Sequence, residues 1–535
     1  MTGATYHQSN MRAGVGKVDI TCRAEGTWEA LLCEKVKKHI PPDYLSKKVE
    51  VSDPLFVRAL VLDDGRESVV LVTMDVTAVG ARTISQNILS DSADDFLPRL
   101  RARVEAELNI PGRNVSVNAS HVHQVPRMLC DDEAQIDRTL QAIRQAQQNM
   151  TPVTIGVGSG RQISLTFNRT MMMKDGSDYT VRSYHAPMPL DCEVEGLRPI
   201  DPEIGVLRVD QLDGRPLAVV YNFATHVLLG APNGKRGTIS ADHVGVTLKY
   251  LEDHIGGGVM AFFLQGALGD TQEACVFDTQ HPPTALDFGT RLGQSVITAY
   301  SRIETAPATL GVVSTTAELP LRTDIPQRIA ALRHEQARML ASLRYTTLNF
   351  KAFLPLYLKY SLNADHPSHW AYRYMQAADS GDISLEAMDE RNRSAIDKYL
   401  DSIWKMERMA ENEENIATLE KHQEVIEALG ASATVPAEFQ GIRIGDCVFI
   451  TAPMEVLAET GLKVKQASPF HRTYVVSLAN GYLHYAPPAS YYPRGGYEVT
   501  ECMLAPEWET TFEKVVQKMF EALQAKESVS LAHES

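Results

Sequence analysis

Short apolar runs alternate with turn residues along the first part of the chain, and this pattern predicts strands joined by tight turns. Asp64-Gly65 lies between the apolar runs 57–62 and 68–73. Asp-Gly between two such runs is a strong hairpin signal. The same arrangement recurs over residues 204–222, around Asp213-Gly214. The sequence therefore predicts two β-hairpins.

Segments with helical spacing of apolar residues follow these strands. One helix of mixed charge is predicted over residues 94–108 and another after Asp132, and the run 439–451 returns to a strand pattern. A terminal amphipathic helix is predicted to begin near Pro506. Strands that alternate with helices predict an α/β fold of the mixed α+β kind, with layered mixed β-sheets covered by helices.

The pattern changes between Pro326 and Leu429, where long polar and apolar stretches show helical spacing. We therefore predict a layered domain made of residues 1–325 and 430–535, interrupted by a helical insertion over residues 326–429. Insertions of this length commonly act as lids or set specificity, and an oligomer interface is the alternative. The oligomeric state itself is left open.

Composition narrows the classes of protein. The chain has 535 residues, of which 44% are hydrophobic and 22% charged, which is typical of globular proteins. A net charge of −15 argues against nucleic acid or an anionic membrane as the main partner. The seven cysteines show no Cys-x-x-Cys spacing, so no thiolate zinc site is predicted. Without a signal-like start or a long apolar run, we expect a cytoplasmic protein that has no membrane span and acts on a small molecule.

The segment Asn118-Ala-Ser-His121-Val-His123 contains the first candidate chemistry, directly after a strand-like run. Side chains two residues apart on a strand point the same way, so both imidazoles are expected to face one pocket. Imidazole is a favoured ligand of Zn²⁺, but one His-x-His supplies at most half of a site. The alternative is a pair of structural or surface histidines.

Two further candidates end apolar strands elsewhere. His226 closes Tyr221-Asn-Phe-Ala-Thr-His226, and Glu455 closes Ala452-Pro-Met-Glu455. Two imidazoles and one carboxylate form the His₂Glu set of hydrolytic zinc sites, which leave one position open for water or substrate. A structural role is the alternative for each residue alone.

These segments together resemble the catalytic domain of the neutral/alkaline (non-lysosomal) ceramidase family. The resemblance extends over most of the chain, and the motifs follow one another in the same order. They are Ala13-Gly-Val-Gly-Lys-Val-Asp-Ile20, Thr73-Met-Asp75, Ser120-His-Val-His123, Asn168-Arg169, Asn222-Phe-Ala-Thr-His226, Ser240-Ala-Asp-His-Val-Gly245, Gly269-Asp270, Pro453-Met-Glu455, Asn480-Gly-Tyr-Leu-His-Tyr485 and Tyr497-Glu498.

The resemblance implies a zinc site and a surrounding set of residues. The implied ligands are His121, His226, Glu455 and Tyr485. A phenol is an unusual ligand; from the residues alone, Tyr485 would be an aromatic wall or core residue together with Tyr482, Tyr491 and Tyr492. Arg169 matches a family arginine that faces the substrate, and Tyr497 lies in another matching motif. His123, Asp242, Asp75 and Asp270 are expected behind the ligands, where such groups orient them, or else in ordinary structural hydrogen bonds.

The segment Gly269-Asp-Thr-Gln-Glu273 departs from the family pattern. Ceramidases have Gly-Asp-Val-Ser-Pro here, and Gln272 occupies the position of the nucleophilic serine. A carboxamide cannot serve as that nucleophile, so a metal-activated water is the simpler mechanism. Gln272 is then expected to bind substrate or the attacking water, and Asp242 or His123 is the candidate general base.

Two features bear on the substrate. Only about forty residues follow Tyr497-Glu498, so we expect no immunoglobulin-like domain of the ceramidase kind, and no signal peptide is seen. Ceramide is therefore not the expected substrate. The resemblance implies a zinc-dependent hydrolase that cleaves an amide bond in a small soluble N-acyl compound. The alternatives are an ester or lactone hydrolase with the same site and a metal-binding scaffold without catalysis.

Overall fold

The fold is described from a computed structural model. It covers residues 10–21, 26–31, 37, 42–80, 82–85, 92–123, 131–181, 189–235, 238–274, 284–364, 367, 372–430 and 434–532. The chain divides into two compact units, residues 1–322 with 429–535 and residues 323–428. The first unit contains the strands and the second is helical.

Strands in the described ranges form several sheets. They are β1 (Arg12–Asp19), β2 (Phe56–Asp63), β3 (Ser68–Met74), β4 (Val115–Ala119), β5 (Thr151–Arg161), β6 (Thr166–Asn168), β7 (Thr170–Met173), β8 (Asp178–Thr180), β9 (Val194–Leu197), β10 (Glu203–Gln211), β11 (Pro216–Phe223), β12 (Met260–Gln265), β13 (Thr271–Glu273), β14 (Leu310–Pro320), β15 (Thr434–Ile444), β16 (Cys447–Thr451), β17 (Glu455–Val456), β18 (Arg472–Val476) and β19 (Tyr485–Ala486). One sheet has the order β12-β11-β10-β5-β1-β2-β3-β4, and a second has the order β14-β15-β16-β18. Short pairs β13-β6 and β17-β19 and the group β8-β7-β9 complete the set.

Both predicted hairpins are confirmed. Strands β2 and β3 pair antiparallel around Gly65, and β10 and β11 pair antiparallel around Gly214. Both glycines have a φ of +84°, a left-handed conformation that glycine adopts without steric cost. The strand pattern of residues 439–451 resolves into the antiparallel pair β15 and β16.

Helices of the first unit cover the sheets. They are Trp28–Leu31, Pro42–Leu45, Arg82–Ser85, Phe96–Leu108, Asp132–Gln148, Asp242–Ile255, Ala285–Tyr300, Ala458–Ala467, Tyr497–Thr500 and Trp508–Ala532, with 3₁₀ turns at Gly112–Asn114, Asp191–Glu193 and Ala489–Tyr491. The predicted helix 94–108 begins two residues later than expected, because Asp94 and Asp95 form a turn. The helix predicted after Asp132 begins there, and the Asp131 carboxylate caps it by accepting the Ala134 N–H at 2.8 Å.

The large sheet has apolar side chains on both faces. In β11, Ala218 and Val220 belong to a core shared with the second sheet, whereas Val219, Tyr221 and Phe223 belong to a core with the helices Asp242–Ile255 and Ala285–Tyr300. Alternate residues of a strand face opposite sides, which produces this division. The expected α/β fold with layered sheets and covering helices is therefore confirmed.

The helical unit contains the helices Ile325–Ser342, Phe350–Leu362, Tyr372–Ser380 and Ser384–Ala428. A small core of Phe353, Tyr360 and Ile396 holds two of them together. A groove of about 820 Å³ in this unit is lined in part by Tyr374, Asp389 and Arg393 and includes none of the predicted site residues. Within the described residues, no helix combines the length and apolar character needed to cross a bilayer.

Candidate metal centre

His121 lies in a loop after β4, with a φ of +65° that non-glycine residues adopt only at a cost. Its main-chain N–H donates to the Val76 carbonyl at 3.0 Å, and its ring Nδ1 lies 2.8 Å from the Thr77 carbonyl oxygen. A carbonyl oxygen only accepts, so Nδ1 carries a proton, and in a neutral ring Nε2 is then the nitrogen with the lone pair. The loop thereby fixes the tautomer that a metal ligand requires.

His123 meets His121, although the reason differs from the one predicted. Strand alternation was expected to align the rings, but β4 ends at Ala119 and the loop turns at His121. The two Nε2 atoms are nonetheless 3.2 Å apart, with the ring planes nearly perpendicular. His121 is buried, whereas His123 is exposed. The loop therefore places His123 on the solvent side of His121.

His226 follows β11 and is anchored in the same way as His121. Its Nδ1 lies 2.7 Å from the Thr271 carbonyl oxygen and 3.1 Å from that of Leu268, so Nδ1–H donates and Nε2 points away. Burial, with the Arg169 cation as the next cause, lowers the pKa of His226 to about 4. The imidazole is therefore neutral at pH 7, as metal ligation requires.

Glu455 begins β17 and completes a buried group of three. Its Oε2 lies 3.5 Å from His121 Nε2 and 3.2 Å from His226 Nε2. One ligand atom from each of the three residues lies within 4.8 Å of the other two. Tyr482 Oη donates to Oε1 at 2.9 Å, while within the described part of the chain Oε2 has no hydrogen-bond partner.

The three converging atoms fit a divalent metal. His226 Nε2 carries a lone pair, and Glu455 Oε2, which lies beside both imidazoles, only accepts and has no hydrogen-bond partner among the described residues. Buried acceptors in that state require a donor or a cation. The His₂Glu set is one that zinc takes in catalytic sites with an open position.

Tyr485 lies next to this group. Glu455 and Tyr485 are register partners in the parallel pair β17 and β19, and Tyr485 Oη is 3.4 Å from His226 Nε2. Burial, with the Glu455 carboxylate as the next cause, raises the pKa of Tyr485 well above its ordinary value. The phenol is thus within reach of a metal held by the other three residues.

Arg169 forms the next layer and contacts Tyr485. Its Nη2 donates to Tyr485 Oη at 3.1 Å and to the Gly269 carbonyl at 2.8 Å, while Nε donates to Glu498 Oε1 at 2.9 Å. The guanidinium also lies 5.3 Å from the ring centroid of Tyr497. Arg169 and Glu498 are buried, so their charges compensate one another in a region that water reaches poorly.

Gly269 lies so close to the Glu455 main chain that this position needs a residue without a side chain. A Cβ there would lie 2.7 Å from the Glu455 carbonyl oxygen, closer than real contacts allow. The Asp270 carboxylate ties the same segment down by accepting the Ala458 N–H at 2.8 Å and the Asn168 amide at 2.7 Å. Asp270 therefore ties the Gly269 segment to the start of the helix Ala458–Ala467, which follows the Glu455 strand.

Gln272 occupies the middle of β13, opposite Phe167 of β6. Its side chain is buried, and its Oε1 has no hydrogen-bond partner within the described residues. The preceding residue, Thr271, is fully buried, and its hydroxyl donates to the Leu268 carbonyl at 3.1 Å. The contact of Thr271 with His226 is made by its main-chain carbonyl oxygen, which lies 2.7 Å from His226 Nδ1.

Two predicted carboxylates have other partners. Asp75 accepts the Phe56 N–H at 2.8 Å and forms a buried ion pair with the Arg58 guanidinium at 3.3 Å. Asp242 begins the helix Asp242–Ile255 with a φ of +56°, and its carboxylate accepts the main-chain N–H groups of Gly230 and His243. Neither carboxylate belongs to the metal-ligand cluster found in the described residues.

The sequence did not predict the buried pair His243 and Glu273, which lies next to His226 and Asp242. His243 Nε2 donates to the His226 carbonyl at 3.1 Å and lies 3.7 Å from Glu273 Oε1; both side chains are fully buried. Burial and then the Asp242 charge raise the pKa of Glu273 to about 8. Tyr482, predicted as an aromatic wall, holds Glu455. His243 and Glu273 lie in the sequence motifs of Asp242 and Gln272, and these motifs were the only signal for them. A sequence does not show which of its polar residues become buried.

Comparisons with known proteins agree with this architecture at the level of the fold. No family model matches the chain, and no curated protein matches it. A solved structure of neutral ceramidase from Pseudomonas aeruginosa superposes with a TM-score of 0.58 at 17% identity, covering 96% of this chain and 75% of the other. The chain has the neutral ceramidase fold. A second structure, a ceramidase complexed with C2, gives a TM-score of 0.57 at 15% identity, with coverage of 96% and 75%. Identities this low establish the shared fold and leave activity open.

Proposed function

We propose that this chain is a zinc-dependent hydrolase that cleaves an amide bond in a small N-acyl substrate. The observation that carries the proposal is the buried convergence of His121, His226 and Glu455, with Glu455 Oε2 lacking a hydrogen-bond partner among the described residues. The likeness to neutral ceramidase structures supports hydrolysis of a C–N bond as the first choice. Tyr485 is proposed as a fourth ligand, because its hydroxyl lies beside His226 Nε2.

A bound zinc ion would polarise a carbonyl group and make water a better nucleophile near neutral pH. The protein's contribution is to hold two imidazoles in place, each with the tautomer that leaves Nε2 for the metal. The Thr77 and Thr271 carbonyls perform that task through Nδ1 of His121 and His226. Tyr482 orients the Glu455 carboxylate through its other oxygen.

His123 is the proposed general base. It is exposed and its Nε2 lies 3.2 Å from His121 Nε2, so the ring can accept a proton from a molecule bound beside the ligands. Asp242 was the other candidate from the sequence. Its oxygens accept main-chain N–H groups and its side chain is fully buried, which favours His123 for this role.

Arg169 and Tyr497 are proposed to stabilise charge on the substrate carbonyl. The guanidinium is held by Glu498 and Gly269, and the rings of Tyr485 and Tyr497 lie next to each other beside it, with centroids 5.6 and 5.3 Å from the guanidinium carbon. A cation fixed in advance stabilises developing negative charge without reorganisation. Gln272 is proposed to orient substrate or water through its Oε1.

The experiment is turnover of matched N-acyl amide and ester substrates that share their acyl and leaving parts. We expect amide hydrolysis that stops on zinc removal and returns on zinc addition, and that Glu455→Gln abolishes. The matched control is Glu459→Gln on the following helix. Hydrolysis of esters alone would favour the ester or lactone alternative, and zinc binding without turnover of either would favour a scaffold.

A further inference from the structure

The helix Phe350–Leu362 in the helical unit exposes an unusually apolar face. Phe353 and Tyr360 face inward and pack with Ile396, while Leu348 and Leu356 pack against that core. The rest of the helix surface exposes five large apolar side chains, whose exposed fractions are 61% for Phe350, 41% for Leu354, 40% for Tyr357, 48% for Leu358 and 84% for Leu362.

The spacing of these residues places them on one continuous face. Positions 350, 354, 358 and 362 follow one another at four-residue intervals, and Tyr357 lies one turn from Leu354. Tyr345, which is 92% exposed, precedes the helix. Exposed apolar groups this close together on a folded protein usually mark a contact surface.

The charge around this face is unlike that of the rest of the chain. No acidic residue occurs between Glu335 and Asp365, a stretch that contains Arg338, Arg344, Lys351 and Lys359, whereas the whole chain has a net charge of −15. Lys351 lies seven and eleven residues before Leu358 and Leu362, so it shares their face. Surface charges act over about 8 Å at physiological ionic strength, so these local cations matter more than the total.

We propose that this helix docks on an anionic lipid surface, with its apolar face in the acyl boundary and its cations among the headgroups. Apolar side chains flanked by lysine, arginine and tyrosine are the pattern of interfacial helices. A second copy of the chain fits less well. It would bring two Lys351 side chains into one apolar contact, with no carboxylate in the segment to pair them.

This docking differs from one expectation from the sequence. The net charge argued against an anionic membrane as a partner, but a total does not reveal a local cluster of cations. Peripheral docking also requires no membrane-spanning helix. The inference concerns the helical unit alone and does not depend on the metal centre.

The test is co-sedimentation of the full chain with vesicles of phosphatidylcholine containing phosphatidylserine, compared with phosphatidylcholine alone. We expect salt-sensitive binding to the anionic vesicles. Leu354→Glu/Leu358→Glu should weaken binding at least tenfold, because both leucines would enter the acyl region. Leu212→Glu changes a leucine in the β10–β11 turn whose exposed fraction is 59%; this control variant should bind like the wild type.

A second variant guards against misfolding. Arg344→Glu/Lys351→Glu changes only exposed charges and should weaken binding, since each basic residue near the surface strengthens it roughly fivefold. Light scattering without vesicles gives the oligomeric state. Anionic-vesicle binding that is absent, or that survives both double variants, would overturn the proposal. So would a wild-type dimer that ignores vesicles and becomes monomeric in Leu354→Glu/Leu358→Glu.

Discussion

Glu455 and Tyr485 are direct register partners in two short parallel strands, β17 and β19, so the carboxylate and the phenol enter the candidate site side by side. The Glu455 N–H donates to the His484 carbonyl at 2.9 Å, and His484 adopts a φ of +59° just before Tyr485. Two residues that are far apart in the chain are thereby held together by main-chain contacts. The relationship explains how a tyrosine can join a His₂Glu group.

Removal of the Tyr485 hydroxyl tests its role as a ligand. Tyr485→Phe keeps the buried ring, and we expect zinc affinity to fall by about tenfold or more while the fold persists. Competition with a chelator measures the change. Tyr492→Phe is the matched control, because it also removes a buried hydroxyl, which donates to the Leu504 carbonyl at 2.8 Å. Equal zinc affinities of the two variants would contradict the assignment.

The sequence and the structure agree where local patterns decide. The Asp-Gly turns predicted β2–β3 and β10–β11, because turn chemistry and apolar alternation act over a few residues. The proximity of His121, His226 and Glu455 is a matter of tertiary structure. It could be anticipated only because the motifs resembled those of a family, and the spacing of the residues alone does not place three strand ends together.

The remaining site depends on features that the sequence does not display. The loop at His121 has a positive φ, so strand alternation gave the wrong reason for its contact with His123. Asp75 pairs with Arg58, and Asp242 accepts main-chain N–H groups. A buried carboxylate binds the hydrogen-bond donors that are packed next to it, and the sequence does not show which donors these are. The His243 and Glu273 pair was not anticipated, because its proximity arises from packing.

The ion pair of Arg169 and Glu498 is buried, so breaking it should be costly. Either Arg169→Met or Glu498→Gln leaves an uncompensated buried group, and we expect losses of about 3–5 kcal/mol in unfolding free energy. The double variant should lose less than the sum of the two. Chemical denaturation of all four proteins measures this coupling. The exposed pair Lys249 and Asp253 serves as the control and should show no resolvable coupling. Additive losses at Arg169 and Glu498 would contradict the account.

Glu273 should make stability fall as pH rises. Burial, followed by the Asp242 charge, raises the pKa of Glu273 to about 8 from an ordinary value of 4.5, so the folded protein keeps a proton that the unfolded chain releases. The contribution of this retained proton to the unfolding free energy is therefore lost between pH 4.5 and about 8. Gln keeps the oxygen that accepts the Leu228 N–H and removes the titration.

We expect the unfolding free energy of Glu273→Gln, relative to the wild type, to increase through that window by up to a few kcal/mol and to level off above pH 8. Urea unfolding at a series of pH values measures the difference. Below pH 4 the difference should be constant, which provides the internal control. Parallel curves across the whole range would mean that the Glu273 carboxyl titrates alike in both states.

Hydrolysis should proceed without a covalent acyl-enzyme. Gln272 is not a nucleophile, and the Thr271 hydroxyl is buried and donates to the Leu268 carbonyl. Mass spectrometry of rapidly quenched enzyme with an N-acyl substrate should therefore show only the unmodified chain. An adduct that forms and decays at the rate of turnover, on Thr271 or any other residue, would require a covalent mechanism.

The most direct measurement of the central claim is the zinc content of the purified chain. The account predicts about one zinc ion per wild-type chain and almost none in His121→Ala/His226→Ala. The control variant His254→Ala/His471→Ala removes two exposed histidines and should retain the wild-type content. Equal zinc content in the wild type and His121→Ala/His226→Ala would show that these imidazoles do not hold the metal.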